Sequence, residues 1–200
     1  YDKEVIQGEL PKYDWLHLHH EDFTGQYGKF YSNYRNHAWY KEQVRTNEAM
    51  AAELGFDKVS ELKLGVAERI KEFTAGGGFL FSMCSGTDSY DISLAAAELD
   101  ICEHMYDGDG STPNYNSQLD YNNTFAFKDF TIITNPNEYE FSNIDATNFH
   151  RRVPEARDKF TLFEFSAKWD PVPTMLCQNH TKIIDGFMGQ TTDYDKRFIK

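Results

Sequence analysis

The sequence is short of basic residues, of cysteine and of long apolar runs, and each shortage removes a class of function. Lys and Arg number 20 against 32 Asp and Glu, giving a formal net charge of −12. A surface of that sign repels phosphate backbones. The nearest approach to a basic patch, His150-Arg151-Arg152, is short, so no nucleic acid is expected as a partner. No run approaches the roughly 18 apolar residues of a membrane-crossing helix, so the chain is not expected to span a membrane. The cysteines are Cys84, Cys102 and Cys177, odd in number and widely spaced. They include no Cys-x-x-Cys pair, which argues against a disulfide scaffold and against a thiolate metal site. Neither a metal nor a cofactor is expected. There is no internal repeat, no low-complexity tract and no clear linker.

What is present is a globular balance, 26% charged and 40% hydrophobic, with enough chain for one sizeable core. Aromatic residues are frequent, and Tyr27, Phe30, Tyr31, Tyr34, Trp39 and Tyr40 stand in a polar background. They suit a lined groove, a partner surface or, more plainly, core packing. Tyr1 stands directly before an acidic stretch, and Asp195–Lys200 carries no stop signal. Sequence is therefore expected to be missing at both ends, and residues 1–200 are read as a single, partial α/β domain.

Periodicity places the elements. Residues 14–19, Asp-Trp-Leu-His-Leu-His, read as a strand closed by the polar cluster His20-Glu21-Asp22. From about Tyr27 to Leu54 the pattern is helical, with Gly55 as its C-terminal cap. Val59, Leu62, Val66, Ile70 and Phe73 recur at three- and four-residue steps, which predicts a second helix. Asp57 or Ser60 can cap its start, and Gly76-Gly77-Gly78 ends it. Phe79–Met83 reads as a strand buried on both faces, and a further helix is predicted over about 88–98. Helix, glycine break, buried strand, tight turn and helix make a βαβ layer pattern. Residues 105–165 change character and read as a largely β or irregular insertion. Extended runs are predicted at 125–127, 130–133 and 160–165, and another at Thr174–Cys177.

The strongest chemical signal is the run Gly77-Gly78-Phe79-Leu80-Phe81-Ser82-Met83-Cys84-Ser85-Gly86-Thr87-Asp88-Ser89. A nucleophile between a buried strand and a helix stands on an elbow, lifted above the sheet edge among small neighbours. Ser82, Ser85 and Gly86 supply the small neighbours. The helix N-terminus favours a thiolate at Cys84, and the N–H groups of Ser85, Gly86 and Thr87 could hold an oxyanion. The other strand delivers His19, His20, Glu21 and Asp22 to the same sheet edge. A histidine there could act as base, with Glu21 orienting it and Asp22 binding substrate. The bland alternatives are a buried small thiol at Cys84 and a solvated polar cluster at 19–22.

The elbow resembles that of the class I glutamine-amidotransferase-like superfamily, whose nucleophile motif is Gly-x-Cys-x-Gly. This chain has Cys84 and Gly86, with Ser82 in place of the first glycine. It is also similar, across most of its length, to Bacteroidota proteins often labelled asparagine synthetase B. That similarity rests on Tyr13–Gln26, the elbow, Phe165–Pro171, Gln178–Thr181 and Gly186–Thr192. The resemblance implies a three-layer α/β fold, with a mostly parallel sheet in flavodoxin-like order and flanking helices. It implies a bacterial envelope or periplasmic setting, with the cytoplasm as the alternative. It also implies a His-acid pair on a late strand, which this sequence does not show; His180 is the substitute on offer, while His104, after the helix that follows the elbow, is too far away.

Three functions are thereby weighed. One is a thiol-dependent hydrolase or amidotransferase-like protein acting on a small amide or acyl compound. Another is a non-catalytic binding or structural subunit of an envelope complex, with a protein partner. The third is ATP-dependent, asparagine synthetase-like amide synthesis, for which Ser85-Gly86-Thr87-Asp88-Ser89 is one residue shorter than the pyrophosphate loop required. Asp107-Gly108-Asp109-Gly110 resembles part of a calcium loop, but Thr112 and Gln118 replace its glycine and its glutamate, so an acidic turn is the plainer reading. Asn122-Asn123-Thr124 and Asn179-His180-Thr181 match the glycosylation pattern, a match frequent by chance.

Overall fold

A computed structural model describes residues 1–138, 140–144, 159–161, 183–185 and 198–200. The predicted strand at 174–177, Cys177, His180, the 150–152 patch and the family-like segments 165–171, 178–181 and 186–192 lie outside the described residues. The chain divides into two compact units, residues 1–144 with 195–200 and residues 145–194.

The first unit is a mixed helical fold around a small parallel sheet, α/β in type. Its elements are α1 (Asp2–Ile6), β1 (Trp15–Leu18), α2 (Tyr31–Tyr34), α3 (Ala38–Leu54), α4 (Val59–Ala75), β2 (Phe79–Ser82), α5 (Ser85–Ala95) and α6 (His104–Asp107). The apolar face of α4 is the one its periodicity predicts: Leu62, Val66 and Ile70 are fully buried. Each side chain of that size contributes about 1.5–3 kcal/mol on burial. Neither Asp57 nor Ser60 caps α4 with its side chain; its N-cap is Lys58. Instead Glu61 reaches back to accept the Asp57 backbone N–H at 3.2 Å.

The helix predicted from Tyr27 is broken. Tyr27, Gly28 and Lys29 all take left-handed conformations, with φ of 52°, 69° and 60°. The Asp22 carboxylate holds this turn, accepting Thr24 N–H at 2.7 Å and Gly28 N–H at 2.6 Å. After the single turn of α2, the long helix α3 begins at Ala38 and closes on Gly55. The aromatic cluster is largely packing: Tyr27 and Tyr40 are buried with ring centroids 6.1 Å apart, and Tyr31 meets Tyr106 at 5.9 Å.

Strands β1 and β2 pair in parallel, Trp15 opposite Phe79 and Leu18 opposite Ser82. The expectation that β2 is buried on both faces is corrected. Phe79 is 58% exposed and Phe81 42%, beside Trp15 at 62%. Helices cover one face of the sheet, where Leu16 and Leu80 join the core. On the other face, among the described residues, the rings have only each other: Trp15 meets Phe79 at 5.5 Å and His17 meets Phe81 at 5.2 Å.

Helix α5 starts and stops three residues before the predicted span of 88–98 and is buried nearly all round. Tyr90 and Leu94 belong to one apolar cluster with Leu18, Phe23, Leu62 and Val66, while Ile92 and Ala95 belong to a second with Phe130, Ile144 and Phe198. The extended runs predicted at 125–127 and 130–133 form only isolated bridges, Phe127 with Ile199 and Ile132 with Ser142. The first run is organised by a side chain instead. Buried Asp91 accepts the N–H groups of Phe125, Ala126 and Phe127 at 2.7, 2.7 and 2.8 Å. In the second unit the described residues form an antiparallel pair, β3 (Lys159–Thr161) with β4 (Ile183–Asp185).

Candidate functional site

Cys84 is exposed, with φ 51° and ψ −140°, between the end of β2 and the first residue of α5. A side chain bearing a Cβ reaches this region only under strain. The turn is pinned from both sides. Met83 N–H donates to Leu18 O at 3.1 Å, Thr87 N–H to Cys84 O at 3.0 Å, and Gly86 N–H to His19 O at 3.3 Å. The chain must therefore reverse within Met83 and Cys84. Gly86 permits the approach: a Cβ there would lie 3.1 Å from Glu21 Oε2 and 3.3 Å from His19 O.

These bonds sort the predicted oxyanion donors. The N–H groups of Gly86 and Thr87 are already engaged within the protein. That of Ser85 makes no hydrogen bond among the described residues, and it directly follows the thiol-bearing residue.

The strand-end cluster does reach the elbow. Parallel pairing sets Leu18 beside Ser82, so His19 and His20 emerge at the level of Met83 and Cys84. Both rings are exposed, 3.8 Å apart by centroid, and carry no hydrogen bond among the described residues. Glu21 lies against the first turn of α5, but its Oε2 accepts the backbone N–H of His19 at 2.5 Å rather than a ring. Ser89 fastens the loop to α5, donating to Glu21 O at 2.9 Å and accepting from Phe23 N–H at 3.4 Å. Asp22 is spent on the turn at 24–28 and is not brought to the thiol. The strand end at His19–Glu21 thus meets the first turn of α5 at Gly86, two residues after Cys84, while Asp22 serves the turn at 24–28.

Sequence reasoning missed Tyr1. The residue is 45% exposed, and its phenol is partly desolvated and feels the Glu21 charge. Burial first, then the Glu21 and Asp2 carboxylates, hold the phenol well above its ordinary value. No local motif links positions 1 and 21, so only the fold could show it.

The other thiol belongs elsewhere. Cys102 is buried and donates to Thr24 O at 3.2 Å, and desolvation, with nearby Asp107 and Asp100, raises it well above the usual thiol range. Asp100, Cys102 and Asp107 place one ligand-type atom each within 4.8 Å of one another. A cation already lies among those carboxylates: Lys58 Nζ is 2.5 Å from Asp100, 3.3 Å from Asp107 and 2.6 Å from Asp109. The acidic turn at Asp107-Gly108-Asp109 is thereby compensated in part. His104 begins α6.

Cys84 itself is exposed. A cavity of about 430 Å³ lies at the opposite, N-terminal end of the sheet, lined by Leu10, Tyr13, Phe73 and Gly77. Among the described residues no helix is long and apolar enough to cross a membrane. No protein-family model, no curated protein and no solved structure matches this chain.

Proposed function

We propose that the chain carries a nucleophilic cysteine of the hydrolase or amidotransferase-like kind, acting on an amide or related acyl compound, and that it belongs to a three-layer α/β fold of the class I glutamine-amidotransferase type. The observation that carries this reading is the backbone at Cys84: a strained residue at a strand-to-helix turn, with an exposed sulfur above the carboxyl end of the sheet. Strain of this kind, about 1–3 kcal/mol, persists where the surroundings over-determine it, and it clusters at functional positions.

The chemistry follows from the placement. The thiolate of Cys84 attacks the substrate carbonyl carbon and forms a C–S bond. The electron pair displaced onto oxygen is received by Ser85 N–H at the mouth of α5. An imidazole of the His19–His20 pair takes the thiol proton and returns it to the departing amine, leaving a thioester that water hydrolyses. Glu21, through the His19 N–H, fixes where that strand end sits.

A second reading is favoured by a specific observation. The exposed ring face of Trp15, Phe79 and Phe81 borders the elbow, as a non-catalytic binding or structural subunit with a protein partner would have it. Amide synthesis from ATP is less well served. Residues 85–89 are the first turns of α5, and Ser89 is buried and tied to Glu21 and Ser85. A phosphate cradle needs a loop with free N–H groups.

Alkylation by iodoacetamide at neutral pH separates the two main readings. Cys84 is expected to react at least tenfold faster than free glutathione, as the enzyme reading requires of an activated nucleophile with a base beside it. Labelling no faster than glutathione removes the enzyme reading. Cys84→Ala should abolish any amide or thioester hydrolysis while leaving the circular dichroism intact.

A further inference from the structure

Three histidines crowd the end of β1, and the thiol chemistry uses at most one of them. His17 and His19 are two residues apart on an extended segment, so both side chains leave the same face. Leu18 between them is fully buried, which turns that face outward. His20 follows at the strand end. The His19 ring lies between its neighbours, 6.4 Å from His17 and 3.8 Å from His20 by centroid. Two imidazoles sharing an ion at a metal–nitrogen distance of about 2.0–2.1 Å hold their centroids roughly 5 Å apart. The two observed separations bracket that value, and all three rings are exposed, so rotation about their own side-chain bonds reaches it.

Three further facts favour a ligand. None of the three imidazoles has a hydrogen bond or ion pair among the described residues, so their nitrogens are uncommitted. The Glu21 carboxylate, anchored on the His19 N–H at 2.5 Å, puts a negative charge beside the cluster. The backbone beneath is fixed by the ladder to β2 and by the Gly86-to-His19 bond, so the ligands start from a held position. Imidazole nitrogens prefer late first-row divalent ions over magnesium or calcium.

We infer that His17, His19 and His20 form a binding site for a late first-row divalent cation, of which zinc is the type. It departs from the expectation of no metal, because the sequence does not show how close the three rings lie. The site does not depend on Cys84 being a nucleophile, and a bound ion occupies the imidazole that the proposed thiol chemistry uses as base, so the two exclude one another.

The test is a titration of the full chain with Zn²⁺ against a chromogenic chelator. One ion per chain is expected to bind, without matching affinity for Mg²⁺. The His17→Ala/His19→Ala pair should weaken binding at least tenfold, and Cys84→Ala and Asp107→Asn should each change it less than twofold. If the alanine pair loses its circular dichroism, His17→Gln/His19→Gln replaces it. Binding that survives in the histidine pair, binding lost on Cys84→Ala or Asp107→Asn, or no saturable binding at all overturns the proposal.

Discussion

The strain at Cys84 has a measurable signature that does not require a substrate. At φ 51° and ψ −140° any residue with a Cβ is held against its preference, and glycine is not. Cys84→Ala removes the sulfur but keeps the Cβ; Cys84→Gly removes both. The strain is worth about 1–3 kcal/mol. Glycine returns about 0.5–1 kcal/mol of it through the greater freedom of the unfolded chain. The net expectation is that Cys84→Gly is more stable than Cys84→Ala by roughly 1–2 kcal/mol. In a chain of this length each kcal/mol moves the midpoint by about 2–4 °C. Calorimetry under reducing conditions, with urea denaturation alongside, reads that difference. An ordinary helix N-cap gives a different result, since glycine and alanine there differ in the same direction by no more than about 1 kcal/mol, with no gain over the native residue. Both comparisons must hold: the glycine variant must exceed alanine in stability and must also equal or exceed the native cysteine. A glycine variant less stable than the native chain refutes the strained elbow.

Two more expectations come from buried charge. Asp91→Ala leaves the N–H groups of Phe125, Ala126 and Phe127 without their acceptor; at about 1–3 kcal/mol for each unsatisfied donor, the loss should be at least about 3 kcal/mol by urea denaturation, and a loss under 1 kcal/mol would deny the bonds. Lys29 is buried, donates to Ile133 O at 2.7 Å and Asn135 O at 3.1 Å, and is lowered to about 8, chiefly by burial. Between that value and the unperturbed lysine range the unfolded chain holds the proton and the native one does not, so native stability should rise with pH from about 8 to 10, by roughly 2 kcal/mol relative to Lys29→Met. A flat difference across that interval would contradict the assignment.

The parts of the fold that could be read in advance are those set by near neighbours. The spacing of Leu62, Val66 and Ile70 gives α4 because helix periodicity is local, and Gly76–Gly78 ends it for local reasons. The elbow is legible because strand, small residues and helix adjoin in sequence. The break at 27–29 is not, since it depends on Asp22 reaching Gly28 across six residues and on two non-glycine residues accepting left-handed geometry. Exposure of the β2 rings was equally hidden: an apolar strand pattern is the same whether helices cover one face or two. At the site, the meeting of the end of β1 with the first turn of α5 was foreseeable, because parallel pairing brings both strands' carboxyl ends to one edge. That Asp22 serves the turn and that Glu21 grips a backbone N–H were decided by contacts beyond the reach of a local motif.

The double packing of α5 has a consequence for control of the thiol. Tyr90 and Leu94 key into one apolar body and Ile92 and Ala95 into the other, so the helix works as a splint across a seam. Its leading turn cannot tilt toward a guest molecule without dragging both bodies. Enlarging Ala95 or trimming Phe130, far from the sulfur, should therefore re-aim Cys84 and change its alkylation rate, an adjustment screw on the back of the molecule for a tool held at the front.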